Sequence, residues 1–504
     1  MIKTKRLKKN TISSLAFQIC TIISGFVLPR LILKRFGSDV NGLVNSITQF
    51  IQVIAFLELG VGAVVQSSLY KPLAEKDNTK VSQIICSANQ FFRRIGEILL
   101  VYVIILILVF PLISHRDFDF LYTGTLIAAI SISSFAQYYF GVVDRLLLTA
   151  DQRGYIQYTA QIITLVINTI ACAILIQLGG SIHIVKLVTS LIYLARPIVL
   201  RMYVNRHYKL DRKAQYTEEP IKQKWNGIAL HVSSSVLDGT DNIVLTVFSS
   251  MANVSIYSVY HLVVYGVKHL FFSTINGGVQ SMLGEIWAVD DKEKTESVFG
   301  WIEWTIHTAV VLLFGCTAVL IIPFIRIYTS GVDDANYIQP LFAVLIVVAH
   351  ASNCICQPYH MMIKAGGHYK ETQHIYIIAT ITNIVISIAT VKLWGLVGVA
   401  IGTLVAMVYQ MIAMVIYNAK NLLKWPIKNV VKQIVVDVVT ASICVALTFW
   451  IHIGEKTYVT WILLSLIVVP IWVAIILLVN LLFYKDKVQR FMGVAKGKIC
   501  RLRK

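Results

Sequence analysis

Residues 459–484 read VTWILLSLIVVPIWVAIILLVNLLFY, twenty-six positions without a charged side chain. About 20 apolar residues in a helix cross the hydrocarbon layer of a bilayer, and a lone crossing segment satisfies its backbone in lipid only as a helix. The stretch therefore reads as a membrane-spanning helix. Working back toward the N-terminus, thirteen more apolar runs follow the same rule, the first near 12–33 and the second near 40–66. The whole chain of 504 residues is 57% hydrophobic and 14% charged, with a mean hydropathy of +0.70. A soluble domain carries about 25% charged residues. Fourteen spans leave no room for a soluble catalytic domain, and the fold class is an all-α polytopic membrane protein.

The net charge of +19, from 45 Lys and Arg against 26 Asp and Glu, does not mark a nucleic-acid surface, which needs its cations on one folded face. Assigned to the loops of an even-numbered topology, 35 of these cations fall on one side, 7 on the other or at its helix ends, and Arg30, Arg196 and Lys268 lie inside spans. Lys and Arg accumulate in cytoplasmic loops. Both termini are thus expected in the cytoplasm, and the surplus charge is expected to meet anionic membrane lipids. The opening MIKTKRLKKN before the first apolar run resembles a signal peptide, but no small-residue cleavage site followed by a polar mature domain appears. It reads as a retained first helix. The eight cysteines sit in or beside apolar helices except Cys500, so no extracellular disulfide framework is implied. Cys354 and Cys356 face different sides of a helix, which argues against a metal site. No GxxxxGK[ST] phosphate loop is present, and no cofactor is expected.

An internal repeat appears at an offset of 214–215 residues. LAEKDNTK at Leu73–Lys80 lies over WAVDDKEK at Trp287–Lys294, and Ala150, Asn168 and Gly180 fall on Ala365, Asn383 and Gly395. The offset keeps six spans in register. Six is even, so the two halves share an orientation and are related by an axis along the membrane normal. The expected plan is a six-helix lobe (1–205), a basic cytoplasmic linker (206–222), a second six-helix lobe (223–420), and two further helices with a basic tail (421–504). The two parallel lobes are expected to enclose a central cavity.

Charges inside a bilayer cost about 2.5–3.5 kcal/mol each at a helix centre on insertion scales, so they face a cavity or a partner. In the span near 227–248, His231, Ser234, Asp238, Asp241 and Asn242 recur at steps of three and four and form one stripe. The next span carries Tyr257, His261, Tyr265 and Lys268, with Lys268 about 20 Å along its helix at 1.5 Å per residue. A further face holds His350, Asn353, Gln357 and His360. Lys268 and the histidines can offer donors to an anionic headgroup in a water-filled cavity; alternatively Lys268 pairs with Asp238 or Asp241 and pins two helices together. In the first lobe Asn41, Asn45, Gln49 and Gln52 share one face, suited to sugar hydroxyls or to interhelical hydrogen bonds. Arg30 and Arg196 are candidates for the cavity but lie within snorkelling reach of an interface, and Pro197 beside Arg196 can kink its helix. Glu58 is read as a gate on the cytoplasmic side. The run of Gly395, Gly398 and Gly402 is read as close helix packing.

The pattern resembles the polysaccharide-exporter branch of the multidrug/oligosaccharidyl-lipid/polysaccharide (MOP) exporter superfamily, the Wzx-type lipid-linked oligosaccharide flippases. The local matches are FLELGVGAVVQSSLY (Phe56–Tyr70), DNIVLTVFSSMANVSIYSVYHLV (Asp241–Val263) and GLVGVAIGTLVAMV (Gly395–Val408), and the likeness covers about residues 1–420. It implies a flippase, not an enzyme, that moves an undecaprenyl-diphosphate-linked repeat unit of a capsule, exopolysaccharide or O-antigen to the outer leaflet of the bacterial inner membrane by alternating access. It also implies that Lys268 and Arg30 lie on helices that supply cavity cations, and that polysaccharide polymerase and glycosyltransferases are partners. Asp238 and Asp241 depart from a purely cationic cavity; with His231 and His350 they are candidates for ion coupling. Two other functions compete. One is a cation-coupled multidrug exporter of the same superfamily, favoured by those carboxylates and opposed by Lys268. The other is a membrane glycosyltransferase or polymerase, opposed by links between spans of only about 20–25 residues on a span reading.

Overall fold

A computed structural model describes residues 2–114, 118–221, 228–288, 291–423, 426–451, 454, 457–490 and 493. The described chain is helical, without strands. In order come α1 (Ile2–Gln52), α2 (Ala55–Glu75), α3 (Asn78–Ile113), α4 (Phe120–Ala136), α5 (Val142–Ala150), α6 (Gly154–Gln177), α7 (Ile182–His207) and α8 (Ile228–Phe248). They are followed by α9 (Met251–Ala288), α10 (Lys292–Tyr328), α11 (Pro340–Ile355), α12 (Gln357–Ala365), α13 (Tyr369–Trp394), α14 (Leu396–Asn421), α15 (Ile427–Thr448) and α16 (Tyr458–Phe483). Each of the fourteen apolar runs coincides with helix. Eleven helical stretches among the described residues are long and apolar enough to cross a membrane. The helices outside that set, α2, α8 and α9, are ones in which polar residues interrupt the apolar run.

Local chemistry sets the breaks. Between the first two runs Gly37 adopts φ 84°, a conformation open to glycine at little cost. Ser38 N and Oγ then donate to the two Asp334 carboxylate oxygens at 2.7 and 2.6 Å, which caps the helix that restarts there. The second run, expected to be one span over 40–66, is interrupted at Val53 and Ile54. The Phe50 carbonyl accepts from Val53 N at 3.2 Å and from the Tyr102 hydroxyl at 3.0 Å, so the regular bond to the fourth residue onward is displaced. Between α4 and α5 the chain makes a π-helical turn, Gln137–Gly141. A Cβ at Gly141 would stand 2.9 Å from Pro197 of α7, so this glycine lets two helix irregularities meet.

The repeat is visible in the capping. Asp77 closes the start of α3 by accepting from Lys80 N at 3.0 Å, and Asp291 closes the start of α10 by accepting from Lys294 N at 3.0 Å. These are the Asp and Lys shared by the two aligned octapeptides. The glycine run also packs as its spacing suggests. A Cβ at Gly398 would meet the Thr390 carbonyl and one at Gly402 the Ser387 hydroxyl, so α14 lies tightly on α13.

The chain forms two compact units, Met1–Ile256 with Gly331–Ala335, and Tyr257–Ser330 with Asn336–Lys504. The first contains α1–α8 around an aliphatic core that includes Leu43, Ile47, Val65, Ile85 and Leu147. Its α8 lies on α1 and α2. In the second, α15 and α16 close on α10 through Val311, Cys444, Val468 and Trp472, and the Trp472 ring occupies the space left by Gly315. The lobe limits at 205, 223 and 420 rest on the repeat register and stay a proposal.

Candidate functional site

In the second unit α9 carries a ladder of rings. Residues four apart on a helix are neighbours, and the Tyr257 and His261 rings stack at 5.5 Å, His261 and Tyr265 at 5.1 Å, with His269 next at 6.2 Å. Tyr260, fully buried on another side of α9, fixes the helix to the start of α11. Its hydroxyl donates to the Tyr337 carbonyl at 2.7 Å and accepts from Gln339 N at 3.0 Å, and its ring meets Phe342 edge-on at 5.1 Å. Along α11 this brings buried His350 edge-on to His261 at 6.0 Å. His350 Nδ1 has no hydrogen-bond partner among the described residues. Lys268 is 4% exposed, with Nζ 5.6 Å over the Phe272 ring. The structure thus brings His261, Tyr265, Lys268 and His350 together in one unit. Of these, Tyr265 reaches the surface, at 41% exposure.

The polar face of the first unit is built differently. Asn41 Nδ2 donates to Ser255 Oγ at 2.7 Å and Ser46 Oγ bonds Thr246 Oγ1 at 2.6 Å, so that face holds α1 to α8 and to the first turn of α9. Asn45 donates to the Asn41 carbonyl of its own helix at 2.8 Å. Gln49 lies against Gly239 of α8, and Gln52 is exposed beside the break at Val53. Arg30 is half-buried directly after Pro29. Asp241 is 2% exposed. The side chains of His231, Asp238 and Glu58 lie outside the described residues.

Arg196 is held within the first unit by α6 and its own helix. Its Nε donates to Thr164 Oγ1 at 2.7 Å and its guanidinium stacks 3.8 Å from the Tyr193 ring centre. It lines a cavity of about 90 Å³ with Arg145, Gln137, Gln157 and Gln161, inside the first unit beside the π turn.

One buried polar cluster escaped the sequence reading. On α10, Glu303 (3% exposed) accepts from the hydroxyl of buried Tyr359 on α12. One turn on, His307 Nδ1 lies 2.5 Å from Asp437 Oδ2 of α15, and Gln433 Nε2 donates to the other Asp437 oxygen at 2.9 Å. Between them Trp304 Nε1 donates to Asn480 of α16 at 2.6 Å. The signal was present: Glu303 and His307 stand four apart in the apolar run near 298–325.

The helical class and the eleven long apolar stretches among the described residues define an all-α multi-pass membrane protein. The sequence matches no protein-family model and no curated protein. Its structure resembles an inward-closed lipid II flippase, MurJ, with a TM-score of 0.73 at 14% identity over 95% of this chain and 99% of that one. It also resembles an inward-facing multidrug resistance MATE transporter of the MOP superfamily, at TM-score 0.60 and 14% identity over 80% of this chain and 97% of that one. The Vibrio cholerae MATE transporter VcmN in its bent form gives 0.54 at 13% identity over 83% and 98%. The chain has the fold of the MOP exporter superfamily.

Proposed function

We propose that this protein is a flippase that carries an undecaprenyl-diphosphate-linked oligosaccharide across the bacterial inner membrane by alternating access, with both termini in the cytoplasm. The observation that carries the reading is Lys268, buried beside the stacked Tyr257–His261–Tyr265 ladder and His350. A fixed cation suits a diphosphate, and a continuous ring face suits the apolar side of a sugar. The overlap with the lipid II flippase supports the same reading, because it takes in 95% of the chain, against 80% for the multidrug transporter. The chain itself performs no covalent chemistry in this scheme. A diphosphate of about two charges moving outward gains about 4.6 kcal/mol per 100 mV of inside-negative potential, at about 2.3 per charge. Asp238, Asp241, His231 and His350 are proposed to couple a proton or sodium ion to the cycle, Glu58 to gate the inner side, and Arg30, Arg196, Asn45, Gln49 and Gln52 to assist cargo binding. A multidrug exporter is the second reading, favoured by the buried Asp241.

The test is flipping of a lipid-linked oligosaccharide in proteoliposomes. Lys268→Ala removes a charge-assisted hydrogen bond worth about 1.5–3 kcal/mol, so the initial rate should fall by about tenfold or more, while expression and unfolding temperature stay near wild type. Lys268→Arg should retain most of the rate. Wild-type flipping by Lys268→Ala would overturn the cargo role, and uptake of cationic dyes with no flipping would favour the exporter. Rates that do not respond to an imposed pH or sodium gradient would remove the coupling.

A further inference from the structure

Residues 208–221 leave the end of α7 and run along α3 without forming a helix. Side chains on one face of α3 hold this strap. Ser82 Oγ accepts from Asp211 N at 3.0 Å, Gln83 Nε2 donates to the Gln215 carbonyl at 3.1 Å, the Tyr216 hydroxyl donates to Gln90 at 3.0 Å, and Ser87 bonds the Glu219 carboxylate. Ile221, at 1% exposure, anchors its far end. Strap, α3 and α7 enclose a cavity of about 430 Å³, lined by Arg93 of α3, Arg201 of α7, and Arg212 and Lys213 of the strap.

Four cations drawn from three separate segments converge on this space. Arg212 Nη2 pairs with the Asp144 carboxylate, 1% exposed, at 2.9 Å. Its other terminal nitrogen, Nη1, is buried and meets no hydrogen-bond acceptor among the described residues. Arg93 rests 5.5 Å over the Tyr139 ring. Like charges in a partly enclosed space repel. An anion with several oxygens relieves that repulsion. Guanidinium forks match phosphate oxygens two at a time, and the Asn89 and Gln90 amides on the same wall add neutral donors. The geometry points to a binding pocket for a phosphate or diphosphate group, carried by a soluble phosphoester or by a lipid headgroup. An occupant fastens the strap to α3 and α7. The pocket shares no residue with the α9 ladder and does not depend on which cargo the protein moves.

The full-length protein in an uncharged detergent is titrated with inorganic pyrophosphate by calorimetry and by trypsin cleavage of the strap. Saturable binding and slower cleavage are expected. Arg93→Gln with Lys213→Gln, which spares the Arg212–Asp144 pair, should weaken binding about tenfold or more, whereas Lys420→Gln with Lys428→Gln should not. Equal affinity in the pocket variant and wild type, or equal loss in the control, overturns the pocket. Nanodiscs of phosphatidylcholine with and without phosphatidylglycerol separate the sources. Slower cleavage with phosphatidylglycerol, absent in the pocket variant, assigns a lipid headgroup, and protection by pyrophosphate alone assigns a soluble ester. Protection by neither overturns the proposal.

Discussion

At the repeat offset of 214, Asn89 and Arg93 on α3 stand where Glu303 and His307 stand on α10. Both helices begin at the same aspartate cap and run 36 and 37 residues. What differs is the chain that covers this face. After α7 it is the 208–221 strap, which leaves a basic cavity; after α14 it is α15 and α16, whose Asp437, Gln433 and Asn480 fill the face with hydrogen bonds. One helix position thus supports a cavity edged by four basic side chains in one half and a closed hydrogen-bonded pair in the other. A polar residue within an apolar helix marks a place where something must come, and the following segment decides whether that is protein or ligand.

Substitutions on the two faces test how closed each one is. Removing one partner of a buried hydrogen bond leaves the other unsatisfied at about 1–3 kcal/mol, so His307→Ala or Asp437→Ala should lower the unfolding temperature clearly in detergent. A loss below about 1 kcal/mol would mean that α15 is held by apolar contact alone. Trp304→Phe forfeits the bond to Asn480 and should cost about 1–2 kcal/mol by the same assay. On the open face, Tyr216→Phe should cost about 0.5–1.5 kcal/mol and speed proteolysis of the strap. Arg93→Gln should leave unfolding within about 0.5 kcal/mol of wild type, and a larger loss would show that the first-unit face is as closed as the second.

The fold was legible because burial in lipid imposes a simple rule on every span, and eleven helical stretches among the described residues meet it. The interruption at Val53 was not, since it depends on Tyr102 reaching the Phe50 carbonyl from 52 positions away. The α9 residues His261, Tyr265 and Lys268 could be picked out by their spacing, which is local. His307 and Asp437 are 130 positions apart, and no periodicity joins them. The strap has no helical period at all. Its partners on α3 are single side chains bonded in part to backbone, a pattern that composition reads only as a charged linker.

The π turn at Gln137–Gly141 has a consequence for length rather than for chemistry. A π turn holds one residue more than an α turn. The wide turn takes up that residue locally, so α5 keeps nearly the register it would have after a regular helix one residue shorter, and the added width falls where Gly141 meets Pro197. Deleting one residue within the turn should therefore leave Arg145 on the cavity it shares with Arg196. The same deletion inside regular α6 would turn all that follows by about 100° and draw it in by about 1.5 Å, so tolerance of a shortening by one should be greatest at the π turn.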